Sequence, residues 1–328
     1  MLAVALVLGV SACGSSGPSI TVYSGQHAQT TAALVAQFEK ETHISVNVRN
    51  NDESVLASQI DAEGSNSPAD VVYTENSPAL EYLHERRRLI PLPSSTLAAT
   101  PARYDSPDGD WVGVSARVSV LVYNTRLLTP AQLPTSVLDL AQPRFRGKLA
   151  LAPSETDFQP IVTAVARAYG RAAALRWLEG LKANASGHIY SDNEATTDEI
   201  NRGNAAIGII DQYYWYRQRA QIGASAVHSA IAFLAPRDAG YVIDISGAGV
   251  LASSSHQANA ERFVAFLVSA EGQRLIARSD SFEYPIAAGV TYGPGQKPLA
   301  ALQPDPIDLA ALGDGSTALA LLRQAQLL

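Results

Sequence analysis

Residues 111 to 123 read Trp-Val-Gly-Val-Ser-Ala-Arg-Val-Ser-Val-Leu-Val-Tyr. This is a nearly unbroken run of strand-forming residues, longer than the five or six residues of an ordinary strand. A strand of that length inside the chain fits a crossing between two lobes that share it. The size of the protein points the same way. With 328 residues, the chain exceeds what a single compact core usually serves, and a hydrophobic content of 47% is enough to build two.

Before the long strand, period-two and period-3.6 patterns take turns. Ser19 to Ser24 alternates as a strand, and Ala33, Leu34, Ala36 and Phe38 recur at helical spacing within 30–41. Residues 44–49 alternate again, 53–63 carry Val55, Leu56 and Ile60 on one helical face, and 67–75 form a third strand behind a proline turn. Strand and helix in alternation predict an α/β fold, a mostly parallel sheet wound by right-handed crossovers. After a short helix over 81–88, the second lobe is expected to hold helices at 134–140, 160–168, 171–183 and 196–202, with strands at 148–152 and 188–190. A strand over 241–251 returns toward the first lobe, and helices over 258–278 and 317–327 close the chain. The lobes are thus expected as 19–117 plus 246–328, and 118–245. Within the return strand, residues 247–252 formally fit a dinucleotide fingerprint, but Ser253-Ser254-Ser255 stands where a helix must begin.

The first ten residues are apolar and lead to Val10-Ser11-Ala12-Cys13-Gly14, a small-residue cleavage pattern with cysteine just after it. The run is shorter than the roughly 20 residues a membrane-spanning helix needs. It reads as a signal segment over 1–12, with Cys13 as a lipid acceptor and 13–18 as a tether. No Lys or Arg precedes it, a departure from the usual signal. With the single cysteine so assigned, disulfides, thiolate metal sites and cysteine nucleophiles are excluded, and any metal must be held by oxygen and imidazole donors, which favour hard cations. A net charge of −7 and a pI near 5.4 argue against nucleic acid. No nucleophile, base and orienter set emerges, and no nucleophile elbow or His-Glu-x-x-His run, so catalysis is not expected.

Four residues carry candidate chemistry. His27 falls in the loop after the first strand and Glu75 at the far end of the third, the carboxyl edge where open α/β sheets bind ligands. Singly, each is more often an ordinary loop residue. Tyr213 and Tyr214 follow the apolar run 205–210, and Asp211 is placed as the N-cap of their helix, its carboxylate accepting from the first turn. Adjacent residues at a helix start can converge on one point, whereas adjacent strand residues face apart. Taken alone, the pair also fits two core tyrosines.

Tyr-Ser-Gly-Gln-His at 23–27, Ser-Pro-Ala-Asp-Val-Val-Tyr-Thr-Glu at 67–75, Tyr-Tyr-Trp-Tyr at 213–216, Ala-Glu-Arg-Phe-Val-Ala-Phe-Leu at 260–267 and Glu-Tyr-Pro at 283–285 together resemble the ferric-ion-binding proteins of bacterial iron ABC transporters. The likeness covers nearly the whole chain after the tether. It implies a two-lobed, transferrin-like periplasmic-binding-protein fold, and a metal site made of His27, Glu75, Tyr213 and Tyr214. Two phenolates and a carboxylate balance the charge of Fe(III), with neutral imidazole completing the set. Four donors leave an octahedral ion room for water or a synergistic anion.

Asp211, Glu155, Thr156 and Asp157 match positions that flank a phosphate in some members, and carboxylates there repel an anion. Asn76, Asn193 and Arg117 are candidates to hold a different anion, such as carbonate or citrate, and Asp157 or Asp211 to supply an extra ligand. The resemblance further implies an extracytoplasmic monomer, tethered to the membrane only by lipid, that takes a ferric ion or ferric chelate and passes it to an ABC permease. The alternative on the same fold is a binding protein for an organic or oxyanion solute, such as a polyamine or phosphonate.

Overall fold

A computed structural model describes residues 17–287, 289–290 and 295–328. The expected signal segment and Cys13 lie outside the described residues. The first lobe is built as β1 (Ser19–Ser24), α1 (Ala28–Thr42), β2 (Ser45–Asn50), α2 (Glu53–Glu63), β3 (Val71–Thr74), α3 (Ser77–Glu85) and a single turn, α4 (Ser94–Leu97). Then β4 (Trp111–Asn124) runs for fourteen residues, all of them buried. Beyond it come β5 (Leu149–Ala150), α5 (Phe158–Tyr169), α6 (Arg171–Asn184), α7 (Asn193–Arg202), β6 (Ile207–Asp211), α8 (Gln212–Ile222) and β7 (Ser229–Ala232). The chain returns on β8 (Ile243–Val250) and finishes with α9 (Gln257–Leu267), α10 (Ala270–Arg278), β9 (Tyr284–Pro285), α11 (Leu309–Leu312) and α12 (Ser316–Gln324).

The strands lie in the order β2-β1-β3-β8-β4-β6-β5, with β7 and β9 also on β4. The outer pairs β1–β2, β1–β3 and β5–β6 are parallel, as strand–helix alternation requires. The central pairings on β4 and β8 are antiparallel, because these two strands carry the chain out of the first lobe and back. β4 belongs to both halves: residues up to Val118 pair with β8, and Ser119 onward pairs with β6 and β7. The long apolar run is therefore buried on both faces along its whole length, which explains why its hydrophobic pattern hardly alternates.

Several local expectations change. The 258–278 segment breaks into α9 and α10, because the Ser269 hydroxyl accepts from the Gly272 amide and starts a second helix. The strand at 188–190 is reduced to one bridge, Leu151 to Ile189. The 134–140 helix is a 3₁₀ turn, Val137–Ala141. The third strand begins at Val71, not Ser67. The fingerprint glycines Gly247 and Gly249 lie within β8 and open no helix. The last helix, α12, packs against α5 and α6 of the second lobe, and the Lys182 ammonium donates to the Ala325 carbonyl. Among the described residues, no helix is long and apolar enough to cross a membrane.

At Gly113, where β4 shifts register against β8, a Cβ would stand 2.4 Å from the Tyr104 carbonyl oxygen and 3.0 Å from both Ile245 and Ile286. Backbone cannot yield as a side-chain tip can. Gly113→Ala is therefore expected to destabilise the protein by about 1–3 kcal/mol, read as a lower urea midpoint at unchanged slope. An unchanged midpoint would show that the crossing strand is packed more loosely than this.

Candidate metal centre

Each of the four candidate donors stands at the edge of a strand that the local sequence fixes. His27 precedes α1, in a loop that bends because Gly25 donates its amide to the Tyr73 carbonyl at 2.8 Å. Gly25 must lack a side chain, since a Cβ there would lie 2.5 Å from Glu53 Cβ. Glu53 in turn shapes the turn after β3. One of its carboxylate oxygens accepts from the Glu75 and Asn76 amides, each at 2.7 Å, and the other from Asn76 Nδ2 at 3.0 Å. Glu75 is thereby aimed into the cleft from the first lobe. From the second lobe, Tyr213 and Tyr214 occupy the first turn of α8, with ring centroids 4.1 Å apart. Both rings are buried, and their hydroxyls converge as the helical start allows.

They converge on Asp157. Its Oδ2 accepts from Tyr214 at 2.9 Å and from Tyr213 at 3.0 Å, and the Tyr213 hydroxyl is also 2.9 Å from Glu75 Oε1. His27 Nε2 lies 3.4 Å from the same Glu75 oxygen. The structure thus brings His27, Glu75, Tyr213, Tyr214 and Asp157 into one chain of contacts across the two lobes.

The tautomer of His27 follows from its neighbour. Gln26 Nε2 donates to Ser246 Oγ and to Glu283, so Gln26 Oε1 faces His27 Nδ1 and can only accept. The proton therefore resides on Nδ1, and Nε2 presents a bare lone pair to the cleft. Burial lowers the His27 pKa to about 4, so the ring is neutral at physiological pH.

Asn76, Asn193 and Arg117 are present but already engaged. Asn76 Nδ2 reaches Asp157 Oδ1 at 3.0 Å and Thr156 at 3.2 Å, and Asn193 Nδ2 reaches Asp157 Oδ2 at 3.5 Å. Arg117, fully buried on β4, donates to Asn76 Oδ1 at 3.0 Å, to the Glu75 carbonyl and to the Glu283 carboxylate. Asp211 corrects the sequence expectation: it occupies the N-cap position of α8, but its carboxylate makes no capping bond. As the last residue of β6, it is still paired with Ser119. No hydrogen bond joins it to the phenols. Asp157 likewise precedes α5 without capping it.

Two acids that sequence reasoning gave no role complete the centre. Glu283, from the Glu-Tyr-Pro segment, is buried against Arg117, Ser115 and Gln26, and it can offer an oxygen within 4.8 Å of donor atoms of His27 and Glu75. Glu53 fixes the β3 turn. Only the motif around Glu283 hinted at either, because both act through partners distant in sequence.

The electrostatics describe a place short of positive charge. Burial lifts the Glu75, Glu53 and Glu155 carboxyls to about 8, with neighbouring carboxylates adding to the rise. Burial and then Asp157 hold Asp211 and both phenols far above their ordinary values. Glu283 alone runs the other way. Burial would raise it, but Arg117 more than offsets this and keeps it ionised. A cation placed between the phenols and these carboxylates would relieve all of these strains together. A cleft of about 650 Å³, lined by His27, Glu194, Arg217 and Phe282, opens beside the site.

Residues 66–301 match the bacterial extracellular solute-binding protein family. The chain belongs to that family. It is 37% identical to the Fe(3+)-binding periplasmic protein of Serratia marcescens, over 95% of this chain and 92% of that one. It is also 37% identical to a major ferric iron-binding protein of Neisseria meningitidis, over 93% of this chain and 92% of the relative. Among solved structures, iron-bound HitA from Pseudomonas aeruginosa superposes with a TM-score of 0.89 at 38% identity, covering 94% of this chain and 99% of that one. A Trichodesmium protein solved with iron and citrate superposes at 0.81 and 29% identity, covering 94% and 99%. This solute-binding protein therefore has the two-lobed fold its sequence resembles, in a family of transport proteins and not of enzymes.

Arg117 and Glu283 of this solute-binding protein are both fully buried, so neither charge is screened by water. Arg117→Met is expected to destabilise the fold by about 3–5 kcal/mol by stranding Glu283, and adding Glu283→Gln should restore part of that. Urea denaturation of the two variants checks this. Equal midpoints for Arg117→Met and the wild type would contradict the pairing.

Proposed function

We propose that this protein captures ferric iron in the cleft, held by His27 and Glu75 from the first lobe and by Tyr213 and Tyr214 from the second. The observation that carries the proposal is the convergence of two buried phenols, a carboxylate and a lone-pair-bearing imidazole on one point. A core tyrosine pair needs only one hydrogen-bond partner for each ring and has no use for a crowd of acids. The ferric ion takes the place of the phenol protons. Two phenolates and Glu75 then supply three negative charges against three positive, and His27 adds a neutral donor. The first lobe comprises 19–117 and the segment after 246 up to the β9 region, and the second 118–245 with α12 packed onto it. Coordination needs donors from both lobes, so a bound ion favours closure about β4 and β8, a hinge motion of the kind two-lobed binding proteins use.

The protein acts outside the cytoplasm as a monomer, anchored through Cys13, and hands its ion to an ABC permease. One-electron reduction to Fe(II) by an external reductant, giving a softer and less charged ion, weakens its bonds to the hard oxygen donors and frees it. The excess of carboxyls over free cations disfavours an oxyanion solute in the same place.

Titration of the metal-free protein with ferric citrate is expected to produce a visible phenolate-to-iron charge-transfer band. Tyr213→Phe and Tyr214→Phe should each weaken binding by roughly 100-fold or more, since even groups that only orient a ligand commonly contribute 10–100-fold. A protein that stays colourless would remove the iron assignment.

Loading must also release protons. The two phenols give up one each, Glu75 with its pKa near 8 gives up most of one at pH 7, and His27, neutral above about 4, gives none. About two to three protons per ion are expected, and affinity falls as pH falls. Isothermal titration in buffers of different ionisation enthalpy counts them. A count near zero would contradict the phenolate ligand set.

A further inference from the structure

We propose that Gln26 is a positioning residue for the metal site: it imposes on His27 the tautomer that meets the ion, and without it the ring turns a proton toward the ion. The inference rests on the iron reading above and gives a role to a side chain outside its four-ligand set.

A neutral imidazole carries its proton on either of two nitrogens, and in water the Nε2–H form is the more stable. In this chain Nε2 is the nitrogen that faces the site, 3.4 Å from Glu75 Oε1. Binding a cation there needs the tautomer that water disfavours. Among the described residues, Gln26 is the side chain bonded to the opposite nitrogen, the place from which a partner selects the tautomer of a ligating histidine.

Three contacts fix which way the buried Gln26 amide points. The His27 backbone N–H donates to its oxygen at 2.7 Å, and a backbone N–H can only donate. At its nitrogen stand Ser246 Oγ at 2.9 Å and Glu283 Oε2 at 3.1 Å. Ser246 spends its own proton on the Thr74 carbonyl at 2.6 Å, so toward Gln26 it accepts. Glu283, held by Arg117 and by Ser115, is a carboxylate and also accepts. Turning the amide over would set N–H against N–H at one end and lone pairs against lone pairs at the other, all out of reach of water.

Every step therefore donates toward Glu283: His27 to Gln26, and Gln26 to Glu283. The negative charge reaches the imidazole through one amide and makes Nε2 a better donor to a cation. Ser246 adds a link between the loops. It lies on β8 and joins Gln26, just before His27, to Thr74, just before Glu75. One hydroxyl of the return strand thus ties together the two first-lobe donors.

The test compares the wild type with Gln26→Met, which fills the same space but offers Nδ1 no oxygen. Long-range proton–nitrogen NMR of the metal-free, histidine-labelled proteins reads the tautomer, with His27 assigned by the signal lost in His27→Gln. Titration with ferric citrate reads the affinity. The wild type is expected to show a protonated Nδ1 and a bare Nε2. Gln26→Met should carry the proton on Nε2 and bind iron roughly 10–100-fold more weakly, while keeping the phenolate charge-transfer band at saturating iron. Should Gln26→Met fail to fold, the wild-type spectrum decides. A wild type with its proton on Nε2, or a Gln26→Met protein that keeps the wild-type tautomer or the wild-type affinity, overturns the inference and leaves the iron reading standing. A wild type that forms no charge-transfer band removes both.

Discussion

One carboxylate oxygen, Asp157 Oδ2, accepts from two buried phenols at once, and much of the centre answers to that arrangement. Around it are gathered Glu75, Glu155 and Asp211, with pKa values pushed up by burial and by the Asp157 charge. Their nearest fully buried cation, Arg117, is committed to Glu283. Such a cluster is costly to assemble in a folded protein unless something positive repays it. In the proposed reading a trivalent ion does so directly, and acid crowding and phenol convergence then share one explanation.

The scaffold delivers these groups through one strand. β4 pairs with the first lobe over its first half and with the second lobe over its second half, and Arg117 lies at the changeover. From that position its guanidinium reaches the Glu75 carbonyl, Asn76 and Glu283. The strand that joins the lobes thus also braces the donors of the first lobe. Glu53 braces the same turn from the other side by holding the amides of Glu75 and Asn76. Neither residue needs to touch the ion to decide where Glu75 points.

Much of this was legible in the sequence, because it depends on local periodicity and on residue type. The strand–helix alternation of the first lobe, the length of β4 and the start of α8 follow from hydropathy patterns over a few residues. The convergence of Tyr213 and Tyr214 follows from helix geometry. Other features depend on pairings that no local pattern records. Glu283 reaches Arg117 across 166 residues, and Glu53 reaches the amides of Glu75 and Asn76. The break between α9 and α10 was hidden because Val268 and Ser269 do not interrupt the apolar spacing, and only the Ser269 cap reveals it. Asp211 looked like a cap because Asp commonly is one. The β6 pairing holds it instead as the end of a strand.

The most direct measurement is a crystal structure of the iron-loaded protein with anomalous diffraction data collected on both sides of the iron absorption edge. The account predicts a single strong peak between the lobes, within about 2.0–2.2 Å of the two phenolate oxygens, a Glu75 oxygen and His27 Nε2, distances usual for oxygen and nitrogen donors on small cations. A peak elsewhere, or one beside which Tyr213 and Tyr214 keep their hydrogen bonds to Asp157, would contradict it.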